Sequence, residues 1–91
     1  MAGPIRLTDE EVTRELQKAP GWELKEGEIT RLYKFPDFKA ALAFVNRVGE
    51  LAEAADHHPD IDIRYNKVRL TLSTHSAGGL TSKDFSLAAQ L

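Results

Sequence analysis

The sequence predicts a small α+β domain in which a helix, two strands, a second helix, two more strands and a third helix follow in order. Three observations predict it. Two Thr-x-x-acid starts, Thr8 to Glu11 and Thr81 to Asp84, each open a short amphipathic segment. A long apolar stripe of helical spacing runs from Phe38 to Ala55. Between these lie two pairs of alternating runs, each joined by a short turn rich in Gly or Asn.

The first helix starts at Leu7-Thr8-Asp9-Glu10-Glu11-Val12, where Thr8 caps, Glu11 completes a capping box and Leu7 with Val12 suits the flanking staple. It runs to about Lys18 and is stopped by Pro20-Gly21. Val12, Leu16 and Ala19 are its buried positions, so it lies across an edge of the core. Trp22 to Lys25 and Ile29 to Phe35 read as a hairpin around Glu26-Gly27-Glu28. Arg31, Tyr33 and Phe35 share one face of the second strand, and Thr30, Leu32 and Lys34 the other, with Leu32 suggesting that this outward face is partly covered. Trp22 is read as core, with a ring-binding aromatic at a site mouth as the alternative.

Asp37 caps the longest helix, which extends to about Asp56. Phe38, Ala41, Leu42, Val45, Val48, Ala52 and Ala55 form its stripe, widened by Phe44 and Leu51. Gly49 inside it costs about 1 kcal/mol against alanine, which points to close backbone packing there. Ile61, Ile63 and Tyr65 then alternate with Asp62 and Arg64, and a tight turn around Asn66-Lys67 leads to a fourth strand. Val68, Leu70 and Leu72 are its buried face, which puts Arg69, Thr71, Ser73 and His75 on the opposite, polar one. After Ser76-Ala77-Gly78-Gly79, Thr81 caps a last helix that continues to Leu91, with Leu80 and Phe85 placed for a staple.

Composition limits what such a scaffold can do. Residues 1–91 are read as one domain, because 91 residues cannot build a second core. At 42% hydrophobic and 29% charged the chain is of ordinary globular composition. No apolar run approaches the roughly 20 residues needed to span a bilayer, and Met1-Ala2-Gly3-Pro4 lacks the apolar region of a signal peptide. A net charge of -2 argues against nucleic acid as a partner, and Arg64, Lys67 and Arg69 read as a solvated strand face. The absence of cysteine excludes disulfides, thiolate catalysis and cysteine-based zinc sites, and fits a cytoplasmic location. Gly78-Gly79 carries no phosphate-binding fingerprint, and no serine lies in a nucleophile-elbow context.

Chemistry near neutral pH therefore falls to the three histidines, the only side chains with an unperturbed pKa in that range. Two stand together in Glu53-Ala54-Ala55-Asp56-His57-His58-Pro59-Asp60, where the proline ends the long helix. They read either as a C-terminal helix cap favoured by the macrodipole or as one cleft-facing imidazole with a supporting neighbour. His75 ends the polar strand face. Asp84 is accounted for as a capping acid, and a carboxylate near His75 would also fix that ring's tautomer. Three imidazoles could hold zinc, but adjacent ligands such as His57 and His58 rarely converge on one ion, so no metal is expected.

These residues carry a resemblance. Glu53, His57-His58-Pro59, Tyr65-Asn66-Lys67-Val68, Leu70, Leu72, Ser73-Thr74-His75, Gly79-Leu80 and Asp84 are similar to the motif of the pterin-4a-carbinolamine dehydratase family. Upstream, Gly21-Trp22, Tyr33-Lys34-Phe35, Asp37-Phe38 and Ala41 are similar too, so the resemblance spans about Leu7 to Leu91. Ile61 departs from it, standing where members often carry tryptophan, and Arg69 replaces a histidine of some animal members.

The resemblance implies a two-layer fold, a four-stranded antiparallel sheet with three helices packed on one face. It implies dehydration of 4a-hydroxytetrahydropterin to quinonoid dihydropterin, with no metal, nucleotide or organic cofactor, by a homodimer or homotetramer. His57, His58 and His75 are then the catalytic set, His57 and His75 transferring protons and His58 orienting the pterin. Asp84 would position His75, and Pro59, Glu53, Ser73 and Thr74 would bind substrate or support the site. A second reading is a dimerisation or transcriptional co-activator module, because animal relatives bind the helical dimerisation segment of a transcription factor.

Overall fold

The computed structural model describes residues 5–91, so the N-terminal reading of Met1-Ala2-Gly3-Pro4 lies outside the described residues. The expected order of elements is present: helix α1 (Asp9–Gln17), strands β1 (Glu23–Lys25) and β2 (Glu28–Lys34), helix α2 (Phe38–Ala55), strands β3 (Asp60–Arg64) and β4 (Lys67–Leu72), and helix α3 (Ser82–Ala88). The strands form one antiparallel sheet in the order β1-β2-β4-β3. Three helices cover one of its faces, and the fold is α+β.

Helix starts follow their sequence signals. Thr8 Oγ1 accepts the Glu11 N–H at 3.2 Å while Glu11 Oε1 accepts the Thr8 N–H at 2.9 Å, a closed capping box. Asp37 Oδ1 accepts the Ala40 N–H at 2.8 Å and opens α2. The ends are shorter than expected: α1 stops at Gln17, α2 at Ala55 and α3 at Ala88. Between α1 and β1 the chain turns through Gly21 at φ +88°, where the Arg31 guanidinium closes over it and donates to Pro20 O at 3.2 Å. A Cβ at Gly21 would lie 2.8 Å from Arg31 Nε, which the flexible arginine could yield, so it is the left-handed backbone that demands glycine.

The hairpin joins β1 to β2 through Glu26 and Gly27, both at positive φ, which suits the twist of a two-residue connection. In the core, Ile29, Val68, Leu70 and Leu72 are fully buried under Ala41, Val48 and Ala52 of α2 and Phe85, Leu87 and Ala88 of α3. Trp22 joins them at 6% exposure, which settles it as core.

Several local expectations are corrected. Phe38 and Leu42 are 47% and 41% exposed, and Ala55 is exposed, because the covered face of α2 centres on Ala41, Val48 and Ala52, with Phe44, Val45 and Leu51 partly buried beside them. Gly49 meets nothing within 4 Å of where a Cβ would stand, so no close packing explains it. Leu32 is exposed on the outer sheet face, where it is Thr30 that is covered, by Arg69 and Thr71 bonding to its hydroxyl. The second hairpin turns at Tyr65-Asn66 rather than Asn66-Lys67, with Tyr65 at φ +53° and the Asn66 side chain donating to Phe35 O at 2.8 Å. Among the described residues, no helix is long and apolar enough to cross a membrane.

Candidate active site

The end of α2 delivers the first histidine. Asp56 adopts the left-handed conformation (φ +50°), and the His57 N–H reaches back to Ala52 O at 3.1 Å. The chain therefore leaves the helix sharply, and Pro59 keeps it from resuming. The His57 side chain, 11% exposed, then lies inward with Nε2 2.6 Å from Asp84 Oδ1.

Asp84 is fully buried, and its other partners satisfy the second oxygen. Oδ2 accepts the Thr74 hydroxyl at 2.8 Å and the Thr81 N–H at 2.9 Å. The Thr74 and Thr81 hydroxyls are 2.8 Å apart, and both residues are buried. A buried carboxylate needs such company, because leaving it unpaired would cost several kcal/mol. Two elements far apart in sequence, the exit of α2 and the start of α3, are thereby joined through one polar cluster beside the apolar core.

The other two histidines are exposed and differently placed. His58 Nε2 bonds to Glu53 Oε2 across the last turn of α2, and both side chains are open to solvent. His75 is not on a strand at all. β4 ends at Leu72, Thr74 and Gly79 bridge to each other, and His75 to Ala77 form a single 3-10 turn between them. Strand alternation therefore does not reach His75; it ends by Ser73, whose hydroxyl donates to Glu28 Oε2 at 3.0 Å. His75 lines an open cavity of about 410 Å³ together with Glu26, Glu28, Ser73 and Gly78.

The structure thus brings together His57, Asp84 and Thr74, pairs His58 with Glu53, and sets His75 beside Ser73. The expected pairing of Asp84 with His75 is corrected: Asp84 holds His57, because Thr74 points its side chain inward and the residue after it turns out. Thr81 and Glu28 are members that the sequence reading missed. Thr81 was accounted for by its capping pattern alone, and Glu28 meets Ser73 only through the register of β2 against β4.

A buried histidine-carboxylate pair, in a fold whose two other histidines are open to solvent, has the parts of a general acid/base site. Comparison with known proteins gives the class a family. A model of the pterin 4 alpha carbinolamine dehydratase family matches residues 5–91. A relative from Chloroflexus aurantiacus, provisionally named pterin-4-alpha-carbinolamine dehydratase, is 57% identical over 86 residues, covering 94% of this chain and 92% of its own. A similarly named protein of Acidobacterium capsulatum is also 57% identical over 86 residues, with 94% of both chains covered. Among solved structures, a transcriptional coactivator/pterin dehydratase from Brucella melitensis superposes with a TM-score of 0.90 at 39% identity over 93% of each chain. A pterin dehydratase-like protein identified as a RuBisCO assembly factor in the alpha-carboxysome shares the fold, at TM-score 0.62 and 21% identity over 76% of this chain and 80% of its own. The chain belongs to the pterin-4a-carbinolamine dehydratase family.

Proposed function

We propose that the protein dehydrates 4a-hydroxytetrahydropterin to quinonoid dihydropterin and water. The observation that carries this reading is the buried His57–Asp84 pair, in a family member whose other histidines, His58 and His75, stand at solvent-facing positions. The reaction breaks the C4a–O bond, so one group must protonate the departing hydroxyl and another must take a proton from a ring nitrogen. Imidazole suits both tasks near neutral pH, and each positioned acid or base contributes typically ~10²–10⁴-fold.

His57 and His75 are assigned the proton transfers, and His58, with Glu53 on its ring, the orientation of the pterin. Asp84 supports His57, held in turn by Thr74. Pro59 and Ser73 shape the approach, Pro59 by ending α2 and Ser73 by its place beside His75. The reaction as written takes no metal, nucleotide or organic cofactor. A cytoplasmic enzyme of tetrahydrobiopterin recycling, or of a related pterin pathway, fits a cysteine-free chain.

A homodimer or homotetramer is proposed with it, because β3 is an edge strand whose inward side chains Ile61 and Ile63 remain 39% and 36% exposed.

The test is direct dehydration of chemically generated 4a-carbinolamine, followed by ultraviolet absorbance. The intact protein should accelerate it, and His57→Ala and His75→Ala should each lose at least about a hundredfold. A His57→Ala protein at full speed would sink the assignment.

A further inference from the structure

The hydrogen bonds around Asp84 have one consistent direction. A carboxylate only accepts, so the Thr74 hydroxyl gives its single proton to Oδ2. In the 2.8 Å contact between the two threonine hydroxyls, Thr81 must therefore be the donor and Thr74 the acceptor. Thr81 Oγ1 in turn accepts the Lys83 N–H at 3.2 Å. At the far end, with Asp84 as a carboxylate, Oδ1 accepts at 2.6 Å from a His57 Nε2 that carries the proton. The chain runs one way, from the first turn of α3 through Thr81, Thr74 and Asp84 to the imidazole.

We infer that Thr81 is a positioning residue for His57: through Thr74 and Asp84 it locks the ring in the Nε2–H tautomer and leaves Nδ1 as the nitrogen that exchanges protons with substrate. Helix capping alone would need only an acceptor at position 81, whereas this role needs a hydroxyl that donates. Thr81 is 1% exposed and Thr74 4% exposed, so water does not compete for either hydroxyl. The kinetic part of the inference rests on the dehydratase reading; the tautomer does not.

The experiment is long-range ¹⁵N–¹H NMR of the His57 ring in uniformly labelled protein at about pH 8.5, where a free imidazole is neutral. The wild-type protein and Thr81→Ser should both show a protonated Nε2 and an unprotonated Nδ1. Thr81→Gly deletes the hydroxyl but keeps a residue type that is tolerated at an N-cap. It should show averaged ring shifts and a kcat lowered roughly fivefold with KM within about twofold, the pattern of an interaction felt in the transition state alone. Wild-type ring shifts and wild-type kcat in a folded Thr81→Gly protein would overturn the inference. Should that variant fail to fold, the wild-type spectrum still decides, because a dominant Nδ1–H tautomer contradicts the whole chain. If no form dehydrates the carbinolamine, the dehydratase reading fails while the ring shifts continue to judge the role of Thr81.

Discussion

His57 is held at its backbone by α2 and at its ring by α3, and much of the chemistry proposed here hangs on the second attachment. Asp84→Asn keeps the shape but replaces the charged acceptor, and should lower the dehydration rate by about a hundredfold, within the range of a positioned acid or base. Stopped-flow absorbance would measure it. Tyr33 makes a separate prediction. Its hydroxyl is buried without a well-formed hydrogen bond among the described residues, and the Arg31 guanidinium lies over the ring, 4.6 Å from its centre. Burial pushes the phenol pKa up, and the Arg31 charge and its weak contact with the hydroxyl offset that only partly. Removing the unpaired group in Tyr33→Phe should raise the unfolding free energy by about 1 kcal/mol, read by urea denaturation. The sign with pH follows: the neutral phenol favours the folded state fully below its ordinary pKa, and that advantage is lost as pH rises through the raised one. Tyr33→Phe should therefore move the alkaline unfolding midpoint upward. The three histidines were legible by residue type, since no other side chain has an unperturbed pKa near neutrality. The partner of Asp84 was not, because a capping aspartate has the same sequence pattern whether or not its other oxygen reaches across the fold.

Helix starts were legible because capping is a contact within four residues. The α1 box shows its electrostatics as well: the Thr8 backbone N–H, then its hydroxyl, hold the Glu11 carboxyl below its usual pKa. Stability from that charge is present above the ordinary carboxylate range and lost as pH falls through the lowered pKa. Glu11→Gln should flatten the acid limb of a plot of Tm against pH. Helix ends and strand ends were less legible. The parity that carried His75 along β4 assumed a strand that continues, but the Thr74–Gly79 bridge turns the chain after Leu72, and only the folded partner reveals that. Gly49 was misread for a related reason, since a helical glycine signals close packing only when something lies opposite. With open space there, Gly49→Ala should stabilise the protein by about 1 kcal/mol, measured as a higher denaturant midpoint.

The order β1-β2-β4-β3 was not written in any local pattern. It joins β2 to β4 across the whole of α2, so it depends on non-local pairing such as Ile29 with Leu72. Its result is a sheet with two sheltered central strands and two open edges. β3 is exposed along its length, and Ile61 and Ile63 lie on the helix-covered face without being sealed by it. If oligomerisation covers this edge, Ile61→Lys with Ile63→Lys should shift sedimentation velocity toward a monomer while circular dichroism stays unchanged. A wild-type protein that sediments as a monomer would remove the assembly from the proposal.

The cluster around Asp84 also sets what a partial unfolding event can leave behind. α3 is short, and its first turn supplies the carboxylate that the His57 ring needs. Any fluctuation that lifts α3 must strand the imidazole, even with the sheet and α2 intact. Amide protons of α3 and the proposed dehydration activity should then share one opening free energy: deuterium uptake at Phe85 and Leu87 and loss of that activity in mild denaturant would rise together, ahead of exchange in β4.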